Sequence, residues 1–431
     1  MRHPFEWNPS ADQPHNVAPK SGRRRHHVKH AGSYLEIAAR NLGRAVPILR
    51  RYARTWRTMY AAPVAFRSPF ACAVSEAGPR NDETIALLKE TGAGATLVRV
   101  PSWERDDLGR HERFVGRLRE AGFEVTVALL QRREDVLDPA AWRSFLEEVC
   151  ARFAGRASAL EVGHAWNRTK WGVWDHREYL RLAEPAFEIA PRHGLRLIGP
   201  AVIDFEFHLY PVTLPKLPFE TVTSLLYVDR MGAPENAQFG WTTPRKLALL
   251  RAVVDACRPG SPRTPLWITE FNWPLAGTGP WSPAAGRPNV NEEEQADFLV
   301  RYGVLVLASG LAEKIFWWQL VAPGYGLVDS RETPWRKRPA FAAFRTLVSR
   351  LDGATFEGAR GDARKDKVRS FLFRRGGESF AVAWAVGGPA ELDFDRPVRR
   401  VISRDGGEEP GRAGARRITI DGSPRYVVFD E

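Results

Sequence analysis

PLWITEFNWP, residues 265–274, is the stretch that decides the fold class. Its apolar run Leu266–Ile268 predicts a buried strand, and Glu270 follows two residues later, before a proline ends the segment. An unpaired charge is costly inside a strand but useful at the mouth of a parallel barrel. We therefore expect the strand to deliver Glu270 to a site at its carboxyl end, with Asn272 and Trp273 beside it. A solvated carboxylate without function is the alternative for this stretch taken alone.

Eight strand-and-helix units, of which this stretch is the seventh, alternate through most of the chain. The other predicted strands read PFACAVS, ATLVRVP, EVTVALL, ALEVGHA, RLIGPAV, SLLYVDR and KIFWWQL. The segment SEAGPRND after the first strand lacks the Gly-rich phosphate turn that is usual in a doubly wound open sheet. The alternation therefore predicts an α/β fold, a (β/α)8 TIM barrel, over residues 66–352.

The C-terminal part of the chain has a different pattern. After residue 353, short apolar runs such as SFLFRR, SFAVAWAV and RYVVF are separated by Gly, Pro and Asp. Such runs are typical of antiparallel strands joined by tight turns. Residues 353–431 are therefore predicted to form a small β-sandwich-like accessory domain beside the barrel.

The N-terminal part carries most of the excess positive charge. Residues 1–60 hold twelve Lys/Arg and three Asp/Glu, so nine of the twelve excess charges fall there, and a nucleic-acid-binding barrel is not indicated. Residues 1–32 lack periodicity and are predicted to be a disordered basic tail. Residues 33–65 predict an amphipathic basic helix, with Leu35, Leu42 and Leu49 on its apolar face and a kink near Pro47. Residues 33–60 could dock on the barrel or contact an anionic membrane, and both interpretations stay open.

Composition and motifs indicate the cellular compartment and whether a cofactor is expected. The three cysteines, Cys72, Cys150 and Cys257, are far apart and odd in number, so we expect buried thiols in a reducing compartment. No run approaches the ~20 apolar residues that span a bilayer. We expect a cytoplasmic protein, with peripheral contact at the inner face of the membrane as the alternative. No motif predicts a metal or another cofactor.

The carboxyl ends of the barrel strands should assemble the site. They are rich in flat aromatic side chains and neutral hydrogen-bonding groups, which suit the apolar faces and hydroxyls of a sugar. Besides Glu270, Asn272 and Trp273, the candidates are Trp103, His164, Asn167, Trp171, Glu206, His208, Tyr227 and Trp317. Trp317 and Trp318 point to opposite faces of their strand, so at most one of them faces the site.

Several of these segments carry a family resemblance. ITEFNWP, LEVGHAWNR, SLLYVDRMGAPENAQFGW and IFWWQL are similar to the seventh, fourth, sixth and eighth strand segments of clan-A retaining glycoside hydrolases. Over residues 69–350 the chain most resembles the family 39 β-xylosidases and α-iduronidases. The resemblance implies that Glu270 is the nucleophile and that Tyr227 lies at the mouth of the site. It also implies that one of the aromatic side chains of the eighth strand forms the floor of the sugar subsite.

The fourth strand departs from this family. Where the family has Asn-Glu, this chain has His164-Ala165, and alanine cannot donate a proton. A retaining mechanism needs two carboxyl groups about 5 to 5.5 Å apart. Glu161 lies too far back along the strand and is expected to be a buried structural carboxylate. The substitutes that we consider for the missing acid are His164 on the fourth strand, Glu206 and Asp204 beyond the fifth, and Glu104 beyond the second.

Two functions follow from this sequence. The first is a retaining glycosidase-like protein that acts on a bacterial surface oligo- or polysaccharide or its precursor, with Glu270 as nucleophile and a non-standard acid. The second is an inactive pseudo-glycosidase that binds glycans or serves as a scaffold. A carbohydrate is the expected ligand in both, and nucleic acid is not expected.

Overall fold

The structure, a computed structural model, describes residues 6–15, 30–228, 232–260, 262–282 and 289–430. Its centre is a closed barrel of eight parallel strands, with the last strand pairing with the first. The strands are β1 Phe70–Val74, β2 Ala95–Pro101, β3 Glu124–Leu130, β4 Ala159–Val162, β5 Arg196–Ile203, β6 Thr221–Leu225, β7 Leu266–Phe271 and β8 Lys314–Trp317. The predicted (β/α)8 barrel is confirmed.

Helices cover the outside of the barrel and bury its apolar strands. Two helices, α1 Ala31–Leu42 and α2 Ala45–Thr58, come before the first strand. The longer helices that follow the strands are α3 Asn81–Thr91, α4 Leu108–Glu120, α5 Pro139–Phe153, α6 His176–Ile189, α7 Thr243–Cys257, α8 Glu292–Leu307 and α9 Pro339–Leu351, and a short helix, Arg133–Leu137, comes before α5. Between β5 and β6 the chain makes only short helical turns, Phe207–Leu209 and Tyr210–Thr213.

A second layer of antiparallel sheet follows the barrel. Its strands are β9 Thr355–Ala359, β10 Val368–Arg375, β11 Glu378–Ala385, β12 Ala390–Asp393, β13 Val398–Ser403, β14 Glu408–Glu409, β15 Arg417–Ile420 and β16 Arg425–Phe429. The main sheet has the order β14-β13-β16-β11-β10-β9, and the short strand Val64–Ala65 extends it beyond β9. β12 and β15 form a two-stranded sheet that packs its apolar side chains against the main one. The predicted C-terminal β domain is confirmed.

Buried polar contacts join this β domain to the barrel. Glu235 accepts hydrogen bonds from Arg301 on α8 and from the indole of Trp384 on β11. Arg404 pairs with Asp297 on α8. Because an unpaired buried charge is costly, these pairs hold the two layers in one arrangement.

The N-terminal helices dock on the barrel. Ile48 on α2 is buried, α2 packs along α7, and Asn41 on α1 donates to the backbone oxygen of His208. The predicted single helix with a kink near Pro47 is instead two helices that break at residues 43 and 44. The predicted apolar face is also wrong in part, because Leu35, Leu42 and Leu49 face solvent.

The predicted tail 1–32 includes residues 31 and 32, which the structure places at the start of α1. Residues 1–5 and 16–29 lie outside the described residues. Residues 6–15, by contrast, form a hairpin in which Trp7–Asn8 pairs with Gln13–Pro14. The side-chain oxygen of Asn8 accepts from the backbone of Ser10 and Ala11, which closes the turn. The prediction of disorder is therefore wrong for this segment, and the reason lies in the contacts that it makes with the barrel.

Candidate active site

Glu270 lies near the carboxyl end of β7, as the sequence predicts, and its side chain is buried. The phenol of Tyr227, two residues beyond β6, donates a hydrogen bond to Oε1, and the guanidinium of Arg99 donates to Oε2. Burial, and then the neighbouring Glu270 carboxylate, raise the pKa of Tyr227 well above its usual value, so this phenol stays a donor. Both oxygens of Glu270 are therefore held in one orientation.

Arg99 is the residue that sequence analysis missed. It projects from β2, the strand ATLVRVP, and its guanidinium stacks 3.4 Å from the centroid of the Trp318 ring. Burial opposes its charge, but the carboxylates of Glu270 and Asp12 outweigh burial and raise its pKa. A lone arginine inside an otherwise apolar strand is the signal that would have found it, because such a charge needs a buried partner.

His164 also contacts the guanidinium of Arg99. Its Nε2 lies 2.8 Å from a terminal nitrogen of Arg99 and 3.5 Å from Oε2 of Glu270. Burial, and then the charge of Arg99, lower the pKa of the imidazole well below its usual value, so the ring is neutral and Nε2 accepts. A neutral ring that accepts at Nε2 cannot donate a proton there. The hypothesis that His164 is the acid is therefore replaced by a role in positioning Arg99.

The turn after β4 fixes His164 in place. The side chain of Gln131 bonds both the backbone N–H and the carbonyl of His164. Gly163 has a φ of 84°, and a Cβ there would collide with the ring of Tyr179. The predicted strand therefore ends at Val162, earlier than expected, and the chain then turns.

Ala165 stands where the family resemblance places an acid. Its side chain is fully buried in an apolar cluster with Leu130, Trp171, Ala201 and Leu225. This cluster leaves the fourth strand without a carboxylate beside Glu270.

The N-terminal hairpin lies on this cluster. The ring of Trp7 packs 5.2 Å from that of Trp103 and 6.0 Å from that of Trp171. Asp12, in the turn of the hairpin, bonds Arg99 through its carboxylate at 3.0 Å and through its backbone oxygen at 3.2 Å. The hairpin therefore adds one aromatic ring and one carboxylate to the mouth of the barrel.

Two of the predicted sugar-contacting rings lie elsewhere. Trp273 and Trp317 are fully buried, stack on each other and pack between the barrel and its helices. The indole of Trp273 donates to the backbone oxygen of Gly232. The prediction that these two rings line the site is wrong, because β7 and β8 turn them outward. Trp318, the neighbour of Trp317, is the ring that faces Arg99.

Several other predicted residues support the site's loops. Asn272 donates to the backbone oxygen of Trp318 and joins the ends of β7 and β8. Asn167 donates to Glu206, which also pairs with Arg168. Glu206 is therefore held on the β5 side by Asn167 and Arg168, and the described residues show no contact between it and Glu270, so its assignment as a substitute acid stays a prediction.

His208 is exposed, and α1 lies over its backbone. The structure does not bring it to Glu270, because the short helical turn after β5 turns it toward the N-terminal helices.

Glu161 lies deeper in the barrel, as expected. Thr269 donates to its carboxylate at 2.6 Å, and burial raises its pKa to about 7. Within the described ranges, no group of three or more His, Cys, Asp or Glu side chains is arranged to hold a metal ion.

Three solved structures are similar to this chain over most of its length. Their overall folds match it. The GH30 endoxylanase of Clostridium papyrosolvens C71 aligns with a TM-score of 0.59 and 12% identity. The alignment covers 86% of this chain and 98% of the endoxylanase chain. The family 30 subfamily 8 xylanase Xyn30A of Clostridium acetobutylicum has the same TM-score and coverage at 11% identity.

The third is AbfB, a family 51 α-L-arabinofuranosidase of Bifidobacterium longum. It aligns with a TM-score of 0.57 and 15% identity, and the alignment covers 86% of this chain and 97% of the AbfB chain. No protein-family model matches the chain, and no curated protein matches it. At these identities the similarity describes the fold, and the narrower likeness to family 39 stays a hypothesis.

Proposed function

We propose that this protein is a retaining glycosidase-like enzyme in which Glu270 attacks the anomeric carbon of a sugar. The observation that carries the proposal is the arrangement of Glu270, whose two oxygens accept from Tyr227 and Arg99 at the mouth of the barrel. Such donors hold the carboxylate in one orientation, as a positioned nucleophile requires. Of the rings at the mouth of the barrel, Trp103 is partly exposed, and a flat apolar face of this kind can stack on a pyranose ring.

The substrate class that we propose is an oligo- or polysaccharide of a bacterial surface, or its precursor. Support comes from the similarity of the fold to glycoside hydrolases and from the exposed basic face of the N-terminal helices. Two of the proteins of similar fold are xylanases by name. An inactive glycan-binding protein is the second candidate, and it is favoured by one observation, the buried Ala165 in place of an acid.

Hydrolysis of activated glycosides separates the two candidates. We would assay 2,4-dinitrophenyl glycosides of the common pentoses and hexoses, since a good leaving group needs little acid assistance. Glu270→Gln should abolish hydrolysis that the wild-type protein shows. Glu206→Gln is the matched control, a carboxylate of the same barrel mouth that is already paired with Arg168, and it should retain activity. Equal rates for the wild type and Glu270→Gln would overturn the proposal.

We also propose that the N-terminal helices contact an anionic membrane. Five apolar side chains of α1 and α2, here called the outer apolar row, are between 44% and 76% exposed: Tyr34, Leu35, Leu42, Val46 and Leu49. Arg40, Arg50, Arg54 and Arg57 are exposed on the same two helices. Exposed apolar groups beside arginines are the composition of an interfacial helix. Among the described helices, none is long and apolar enough to cross a bilayer.

A further inference from the structure

The hairpin of residues 6–15 brings a second carboxylate to Glu270, and we propose that this carboxylate, Asp12, is the general acid and base of the reaction. The proposal rests on the proposed function, because it assigns the missing partner of Glu270. It also accounts for Ala165, since an acid delivered from the N-terminus leaves no need for one on β4.

The geometry is set by one guanidinium. A terminal nitrogen of Arg99 bonds Oδ2 of Asp12 at 3.0 Å, and the other terminal nitrogen bonds Oε2 of Glu270. The guanidinium is a rigid planar fork, so carboxylates on its two terminal nitrogens are held a few ångströms apart. Paired carboxyl groups of glycosidases work at separations of about 5 to 9.5 Å, with retaining enzymes at the short end.

The hairpin is seated by contacts on both sides of Asp12. Trp7 packs against Trp103 and Trp171, and Lys170 donates to the side-chain oxygen of Gln13 at 2.5 Å. Ala11 is buried beside them. Asp12 itself has a φ of 51°, a conformation that aspartate tolerates better than most residues. The turn thus points its one carboxylate at Arg99 from a fixed position.

The protonation state of Asp12 agrees with an acid. Burial and the nearby charge of Glu270 raise its pKa to about 6, although Arg99 opposes the shift. The charged or titratable groups that face it are Arg99 from β2, Glu104 beyond β2, Glu270 from β7, Tyr325 beyond β8 and, through Gln13, Lys170 beyond β4. A carboxyl group with this pKa is largely protonated below pH 6 and can give up its proton near neutrality.

The proposed reaction has two steps, and both carboxyl groups take part in each. In the first, an oxygen of Glu270 forms a bond to the anomeric carbon, the glycosidic C–O bond breaks, and the leaving oxygen takes the proton of Asp12. In the second, the Asp12 carboxylate takes a proton from water, the water oxygen bonds to the anomeric carbon, and the ester bond to Glu270 breaks. Both carboxyl groups return to their starting states.

The test compares Asp12→Asn with Glu6→Gln, an exposed carboxylate of the same hairpin. Phenyl and 2,4-dinitrophenyl glycosides of one sugar serve as poor and good leaving groups. On the phenyl glycoside, Asp12→Asn should lose about 10² to 10⁴ in kcat/KM. Its burst of dinitrophenolate should stay close to wild type, because that step needs no acid. Glu6→Gln should match wild type in both assays.

Rescue by azide and the pH profile of the rate distinguish a general acid from a residue that only holds the hairpin in place. Added azide should restore turnover of Asp12→Asn and yield a glycosyl azide, since this anion needs no general base. The fall in the wild-type rate as pH rises through about 6 should be absent in Asp12→Asn. Asp12→Glu should recover part of the loss on the phenyl glycoside.

Three results would overturn the proposal. One is an Asp12→Asn rate equal to that of Glu6→Gln on the phenyl glycoside. Another is a loss of burst and turnover on both substrates without rescue by azide, which would mean that Asp12 only seats the hairpin. A wild-type protein that shows neither burst nor hydrolysis would overturn the proposed function and this assignment together.

Discussion

Nε2 of His164 lies 3.5 Å from Oε2 of Glu270, and both atoms accept from the same nitrogen of Arg99. Burial and the arginine charge hold the imidazole neutral. His164 and Glu270 therefore both bind the guanidinium of Arg99. His164 occupies the position where the family resemblance implies an asparagine.

The neutral state of His164 can be measured directly. Its pKa is well below the usual value, so its ring nitrogens should show no titration between pH 6 and 8 in proton–nitrogen NMR spectra. His164→Phe removes the ring nitrogens but keeps a planar ring, and the resonance that it deletes assigns the signal. A His164 resonance that titrates near pH 6.5 would contradict this electrostatic account and reopen its role as an acid.

Arg99 should be important for stability as well as for the site. Arg99→Met leaves Glu270 and Asp12 facing each other without the cation between them, and we expect a loss of about 3 to 5 kcal/mol in the free energy of unfolding. Arg105→Met is the control, because Arg105 and Glu148 form a half-exposed pair whose removal should cost less than about 1 kcal/mol. Urea unfolding measures both values. Equal losses would show that the buried ion pair does not organise the mouth of the barrel.

Glu161 should make stability depend on pH. Its pKa is about 7 in the folded protein and about 4.5 when unfolded, so the folded state binds the extra proton between these values. The free energy of unfolding should therefore fall as pH rises from about 4.5 to 7, by about 3 kcal/mol from this group. Glu161→Gln should flatten that decline, and urea titrations at several pH values would measure it. Asp12 contributes a smaller decline in the same direction, so a residual slope is expected. An unchanged slope would contradict the assignment.

The outer apolar row should decide membrane binding. Leu42→Asp with Leu49→Asp places charge on exposed positions and should abolish co-sedimentation with vesicles that contain phosphatidylserine. Leu137→Asp alters an equally exposed leucine outside these helices and should leave binding unchanged. Binding by wild type should weaken as salt is raised, because part of it is electrostatic. Equal binding by both variants would remove the proposed role of the helices.

Sequence patterns located the barrel because its strands carry strong local signals. The predicted bounds of β2 and β3 agree with the structure, since β-branched and aliphatic residues dominate both strands. β6 begins three residues earlier than predicted, because Thr221 to Thr223 are less apolar than the Leu-Leu-Tyr that follows. The final residues of that predicted strand, 229 and 230, lie outside the described residues.

The site was harder to predict from the sequence, because its residues come together only in the folded chain. Tyr227 and Glu270 were found from their strand ends, but Trp273 and Trp317 were placed on the wrong face. A strand's period of two does not say which face looks inward once the strand bends at its end. The hairpin was missed for a related reason. Trp7 to Pro14 has no alternation of its own, and its order depends on Arg99, Trp103 and Trp171.

The central claim is that Glu270 is the nucleophile, and covalent trapping tests it most directly. The protein would be incubated with 2-deoxy-2-fluoro glycosides that carry a dinitrophenyl leaving group, and then digested and mapped by mass spectrometry. The account predicts one adduct of the fluorosugar's mass, on the peptide that contains Glu270, and none in Glu270→Gln. An adduct on another carboxylate, or hydrolysis of the parent glycosides without any adduct, would contradict it.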